Sequence, residues 1–111
     1  MATTLSQQWI KPSVIRASWS LAASENGDAF ECPQFGDKTV TITGTLAGVA
    51  TTLQGSNDGT NWFTVKDFLG AAIAPTTAAM ATLGDNPRYL RPVSGVGQTV
   101  TVILVARGGA R

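Results

Sequence analysis

The chain has 111 residues, a formal net charge of +1, no histidine and one cysteine; 43% of it is hydrophobic and only 14% charged. This length suits one domain with a modest core, and the near-zero charge leaves no electrostatic footprint for nucleic acid or an anionic membrane. Without histidine the commonest general base and metal ligand is missing, and a lone Cys32 can make neither an internal disulfide nor a structural zinc site.

Charged content is far below the roughly 25% usual for soluble domains. A surface of Thr, Ser, Ala and Gly suits a protein that packs against others; the plainer reading is a β-domain covered in threonine. No apolar run reaches the 18 residues expected of a membrane-spanning helix. Residues 1–8 have neither a basic nor an apolar segment, so no signal peptide is expected and synthesis in the cytoplasm is.

In chain order, residues 1–12 show no steady period and read as an extended N-terminal arm. Trp9 and Ile10 stand out there, because a segment meant to stay solvated rarely carries tryptophan. Val14 to Leu21 alternates, with Ile15, Ala17, Trp19 and Leu21 on one face, and predicts a half-buried strand. Residues 25–28 (Glu-Asn-Gly-Asp) read as a turn. A short strand over 29–35 is interrupted by Pro33, which belongs at an edge or bulge, and residues 36–38 read as the next turn. Thr39 to Leu46 is the cleanest strand, with Val40, Ile42 and Leu46 inward and threonines outward.

Val49 to Gly55 is expected to return as a strand. Asn57, Asp58 and Gly59 then make a tight turn, where glycine supplies positive φ without a Cβ clash, and Trp62 to Phe68 follows, with Trp62 as an anchor for burial. The Ala-rich stretch 70–82 contains Pro75, which breaks a helix. A loop with a short strand or one helical turn near 77–83 is expected. Arg88 to Val93 and Thr99 to Ala106 are strands, the last with Val100, Val102 and Leu104 inward and with Ile103 and Val105 on its other face, so that it is expected to be central and covered on both sides. The spacing predicts an all-β fold, an antiparallel β-sandwich (jelly-roll or Ig-like) of seven or eight short strands over residues 13–107, with a flexible tail at 108–111.

Little in the chain points to chemistry. Its acids sit beside Gly or Asn in turns, where they serve local hydrogen bonding. Asn57, Asp58 and Asn61 could offer oxygens to calcium, but a turn accounts for them more simply. No cofactor, catalytic residue or metal ligand is therefore expected. Arg88, Tyr89 and Arg91 are residue types enriched in protein interfaces.

Two resemblances follow. The run from Gly55 to Trp62, then Val65, then Pro87 to Arg91, resembles discoidin-type (galactose-binding-like) β-sandwiches over roughly residues 53–93; in that family these positions are structural. The whole chain is similar to small tailed-bacteriophage virion proteins, through its composition and the runs Leu53–Trp62, Asp85–Pro92 and Thr99–Leu104. That resemblance implies a non-enzymatic capsid decoration (cement) protein. Its partners would be the major capsid protein and copies of itself, as dimers or trimers, on the virion surface. The expected contact residues are Trp9, Ile10, Arg88, Tyr89 and Arg91, with no nucleic acid and no membrane. The alternatives are a phage tail or baseplate component, or a discoidin-like carbohydrate-binding module.

Overall fold

The computed structural model describes residues 2–3, 5–11, 14–32 and 35–108. There is no helix among them. The strands are β1 (Ala2–Thr3), β2 (Ser6–Lys11), β3 (Val14–Leu21), β4 (Asn26–Gly27), β5 (Phe30–Glu31), β6 (Phe35–Thr45), β7 (Thr52–Ser56), β8 (Phe63–Thr64), β9 (Ala79–Thr82), β10 (Tyr89–Val93) and β11 (Thr99–Gly108).

They form two sheets. One runs β1-β4-β10-β7-β8, with β5 also on β10; the other runs β2-β3-β11-β6-β9. All pairs are antiparallel except the two-residue β1–β4 pair. From β3 onward the chain alternates between the sheets, apart from the successive short strands β4 and β5 and the β7–β8 hairpin. This order is that of a jelly roll, and it decides between the two sandwich types that strand spacing allowed.

Period-two patterning builds the core. Ile15, Ala17, Trp19 and Leu21 of β3 are buried, as are Val40 and Ile42 of β6 and Val100, Val102, Leu104 and Ala106 of β11. They face Phe30, Leu53 and Leu90 from the other sheet. Trp19 donates its indole N–H to the Asp28 carbonyl (2.9 Å), so its polar atom is satisfied inside. At one end of the sandwich the buried Gln98 ties loops together. Its Oε1 accepts from Thr51 Oγ1 (2.6 Å) and Gly95 N (2.7 Å), and its Nε2 donates to the Leu46 carbonyl (2.9 Å). A buried amide is tolerated only when satisfied in this way.

Several boundaries differ from the expected ones. The arm is not free of its own domain: β2 pairs along β3, from Ser6 opposite Ser18 to Trp9 opposite Ile15. Along the β3 side its backbone groups find partners within the domain. Pro12, Pro33 and the tail beyond Gly108 lie outside the described residues. The turn placed at 25–28 falls earlier, around Ala23 and Ser24, because Asn26 and Gly27 pair as β4. The turn placed at 36–38 is strand, and Lys38 is buried in phase with Val40. The strand placed at 62–68 shortens to Phe63–Thr64, followed by the single bridges Lys66–Ala72 and Asp67–Leu83.

Candidate functional site

The hairpin from β7 to β8 is held by side chains rather than by a two-residue turn. Asp58 Oδ1 accepts from Thr60 N (2.9 Å) and Asn61 N (2.8 Å), and Oδ2 accepts from Asn61 Nδ2 (2.7 Å). Ser56 Oγ accepts from Gly59 N (2.8 Å) and donates to Asp58 Oδ1 (2.9 Å). The backbone N–H groups of Asn61 and Thr60, then the Asn61 and Ser56 side chains, hold the Asp58 carboxyl well below the usual carboxylate range. Gly59 sits at φ +78°, a region that costs an L-residue about 1–2 kcal/mol.

Trp62 leaves this loop half-buried on the outer face of the six-stranded sheet, so the anchor expected for the core lies outside it. The Arg91 guanidinium stacks on its ring, 4.1 Å from the centroid, and Arg91 Nε donates to Gln54 Oε1 (3.1 Å). Gln54 and Arg91 are opposite in register, as are Tyr89 and Glu31. Arg88 lies over the Tyr89 ring (5.0 Å) and pairs with Glu31 (2.9 Å). Three expected contact residues, Arg88, Tyr89 and Arg91, thus come together with Trp62. Their charged groups are engaged within the domain.

Trp9 and Ile10 belong to the other sheet. They lie on its β2 edge, 57% and 52% exposed, with Ile10 at a register shift between Trp9 and Lys11. Beside them is the outer face of the five-stranded sheet. By alternation it carries Val14, Arg16, Ser18 and Ser20 of β3, then Thr101, Ile103 and Val105 of β11, then Thr39, Thr41 and Thr43 of β6. Among the described side chains of this face the charges are Arg16, Asp37 and Arg107, and Asp37 and Arg107 are opposite in register. Its centre is a flat surface of threonine, isoleucine and valine.

The seven acids mostly hold loops. Glu25, Asp58, Asp67 and Asp85 each accept a backbone N–H, and Glu31 holds Arg88. Cys32 is buried, and burial pushes its thiol up to about 11 against the opposing pull of Lys38. Lys38 itself donates to Asn86 Oδ1 (2.7 Å), and burial lowers its pKa. Among the described residues no three Asp, Glu or Cys side chains gather as a metal set. A hollow of about 640 Å³ beside the hairpin is lined by Asp58, Asn61, Phe63, Asp85 and Asn86, among others. Sequence reasoning missed a second exposed apolar group, Phe68, Leu69 and Met80. The apolar pair Phe68-Leu69 between Asp67 and Gly70 was the available signal.

Compared by sequence, the chain matches no protein-family description and no curated protein. Compared by structure, it is similar to the SPBc2 prophage-derived protein YomS, at 14% identity over 89% of this chain and 98% of that one, with a TM-score of 0.61. It is also similar to a cupin domain from Bordetella pertussis, at 12% identity over 98% and 95% of the two chains, TM-score 0.55. A third likeness is to an RmlC-like cupin family protein with a double-stranded β-helix fold from Methanocaldococcus jannaschii, at 8% identity over 96% and 79%, TM-score 0.53. At such identities the likeness is one of fold. The chain is an all-β sandwich of the jelly-roll kind, and one protein sharing that fold is of prophage origin.

Proposed function

We propose that the chain is a non-enzymatic structural protein of a tailed phage, a decoration or cement protein that binds the outside of the head. It would be made in the host cytoplasm and act on the virion, holding the major capsid protein and further copies of itself. The observation that carries this reading is the outer face of the five-stranded sheet, whose centre is threonine, isoleucine and valine and nearly uncharged. Such a face loses little hydration energy on meeting another protein, because few charges must be stripped of water, and its β-branched side chains lose little rotamer freedom. Trp9 and Ile10 extend it with large apolar anchors of the kind that dominate binding energy. The prophage origin of YomS supports the same direction. In this reading Arg88, Tyr89 and Arg91 brace the opposite sheet and are not the main contacts.

The test is co-sedimentation of the purified protein with expanded heads that lack it. Saturable binding is expected, weakened by the double substitution Trp9→Ala, Ile10→Ala, both exposed on the β2 edge, with the β-sheet circular dichroism retained. Equal binding by the double variant would remove the arm from the contact, and no binding by the wild-type chain would end the capsid reading. Binding to purified tails instead would favour a tail or baseplate component. One observation favours a carbohydrate-binding reading: the hollow beside the hairpin joins the exposed Phe63 to Asp58, Asn61, Asp85 and Asn86. A glycan array without hits removes it.

A further inference from the structure

We infer that β9 and the loop before it form a self-complementary surface for a second copy of this chain. Three side chains make it: Phe68, Leu69 and Met80 are 77%, 89% and 70% exposed. They border a groove of about 490 Å³ between the loop tip and β9, completed by Asp67, Ala81 and Thr82. A second hollow of about 250 Å³, lined by Ala72, Pro75 and Ala79 among others, shares Asp67, Met80 and Ala81 with it. The two make one continuous apolar strip along the edge of the five-stranded sheet.

The backbone along this strip is open at one point. Leu83 N donates to the Lys38 carbonyl, so alternate residues of β9, Ala81 and Ala79, bond to β6. Met80 and Thr82 therefore point their N–H and C=O groups away from β6. The loop covers the far end: Phe68 N donates to the Thr82 carbonyl and Gly84 N to the Lys66 carbonyl. Among the described backbone hydrogen bonds none reaches Met80. An edge strand left open in this way is ordinarily guarded by charge, proline or a bulge, and Ala79–Thr82 has no charge, no proline and no register shift.

A second copy fits these features better than a foreign partner. Across a two-fold axis the Met80 N–H of one copy meets the Met80 carbonyl of the other, and the reverse, so donor and acceptor match by symmetry. The patch carries a single charge, the Asp67 carboxylate, and its own loop holds that group: Asp67 Oδ1 accepts from Leu69 N and Ala71 N (both 2.9 Å). Phe68 alone offers roughly 150–250 Å² of apolar surface, and Leu69 and Met80 add to it at these exposures, a large share of the ~800 Å² per partner of a standard interface. An exposed apolar strip of several hundred Å² is often functional. This surface would serve self-association whether or not the chain binds a capsid.

Sedimentation velocity of the full chain, without capsids, tests it. A concentration-dependent dimer is expected. The double variant Leu69→Lys, Met80→Lys should be monomeric at every concentration, with unchanged circular dichroism, because both side chains are already in water. In a separate variant, Met80→Cys should form an intermolecular disulfide under mild oxidation, the buried Cys32 staying out of reach. A monomeric wild-type chain overturns the inference, as does a dimer that survives the double variant or is lost only on substitution of Ile103. A monomer that still binds heads would sink this inference alone, and a dimer that ignores heads would sink only the capsid reading.

Discussion

The outer faces of the two sheets have opposite characters. On the six-stranded sheet Arg91 stacks on Trp62 and bonds Gln54, while Arg88 lies over Tyr89 and pairs with Glu31. Both arginines there have partners within the domain. On the five-stranded sheet the central positions are threonine, isoleucine and valine, and the charges stay at Arg16 and at the Asp37–Arg107 position. Both faces obey the same period-two rule, with buried residues beneath and half-buried ones above. A face whose groups satisfy one another gains little from a partner. One left flat and uncharged can be covered without stranding a charge.

Placing a charge on the uncharged face should have the largest effect. Ile103→Glu would leave a carboxylate buried and unpaired in any complex, at a cost of about 3 kcal/mol, a little over a hundredfold in head binding. Its folding stability should change far less, and titration of heads alongside urea denaturation reads both. Trp62→Ala is the mirror experiment: it should lower stability by about 1–2 kcal/mol through lost packing and the Arg91 contact, with head binding unchanged. Loss of binding in Trp62→Ala, or retention in Ile103→Glu, would reverse the assignment of the faces.

Gly59→Val tests the loop that delivers Trp62. The backbone there is at φ +78° and an added Cβ would meet Tyr89 only at ordinary contact distance (3.6 Å). The loss should therefore be the conformational one, about 1–2 kcal/mol, read as a lower denaturation midpoint with unchanged head affinity. The Asp58 carboxyl is depressed in the folded state, so its stabilising contribution is present at neutral pH and fades as pH falls below about 4, its unfolded value. Asp58→Asn should flatten that loss, and denaturation at pH 7, 4 and 3 would show whether it does. The smallest effect is expected for Arg88→Ala. Its ion pair with Glu31 is exposed on both sides and screened by salt, so thermal unfolding should scarcely move.

Much of the fold was legible because alternation reports burial directly. Ile15, Ala17, Trp19 and Leu21 on β3, and Val100, Val102 and Leu104 on β11, are buried as their period implies. β11 is also central, between β3 and β6, but it is covered on one face only: Ile103 and Val105 are half-buried on the outer side. Lys38 escaped notice because a lysine beside Gly36 and Asp37 resembles a turn. Its alternation with Val40 was the better guide, and Asn86, distant in sequence, satisfies its ammonium inside. The candidate surfaces were half legible. The threonine ribs of β6 could be read locally, whereas the group of Trp62, Arg91 and Gln54 joins residues from three strands or loops. The Phe68–Met80 strip joins a loop tip to an edge strand.

By itself the sequence determined the all-β class, the inward faces of β3, of β6 from Val40 on and of β11, the Asp58–Gly59 hairpin and the scarcity of charge. These follow from local backbone preferences and from periodicity within one strand. Only the tertiary structure decided that the sandwich is a jelly roll, that residues 6–11 dock on β3, and which exposed side chains share a surface. Those outcomes depend on pairing between distant strands: period-two patterning says which side of a strand is buried, but not which strand lies beside it.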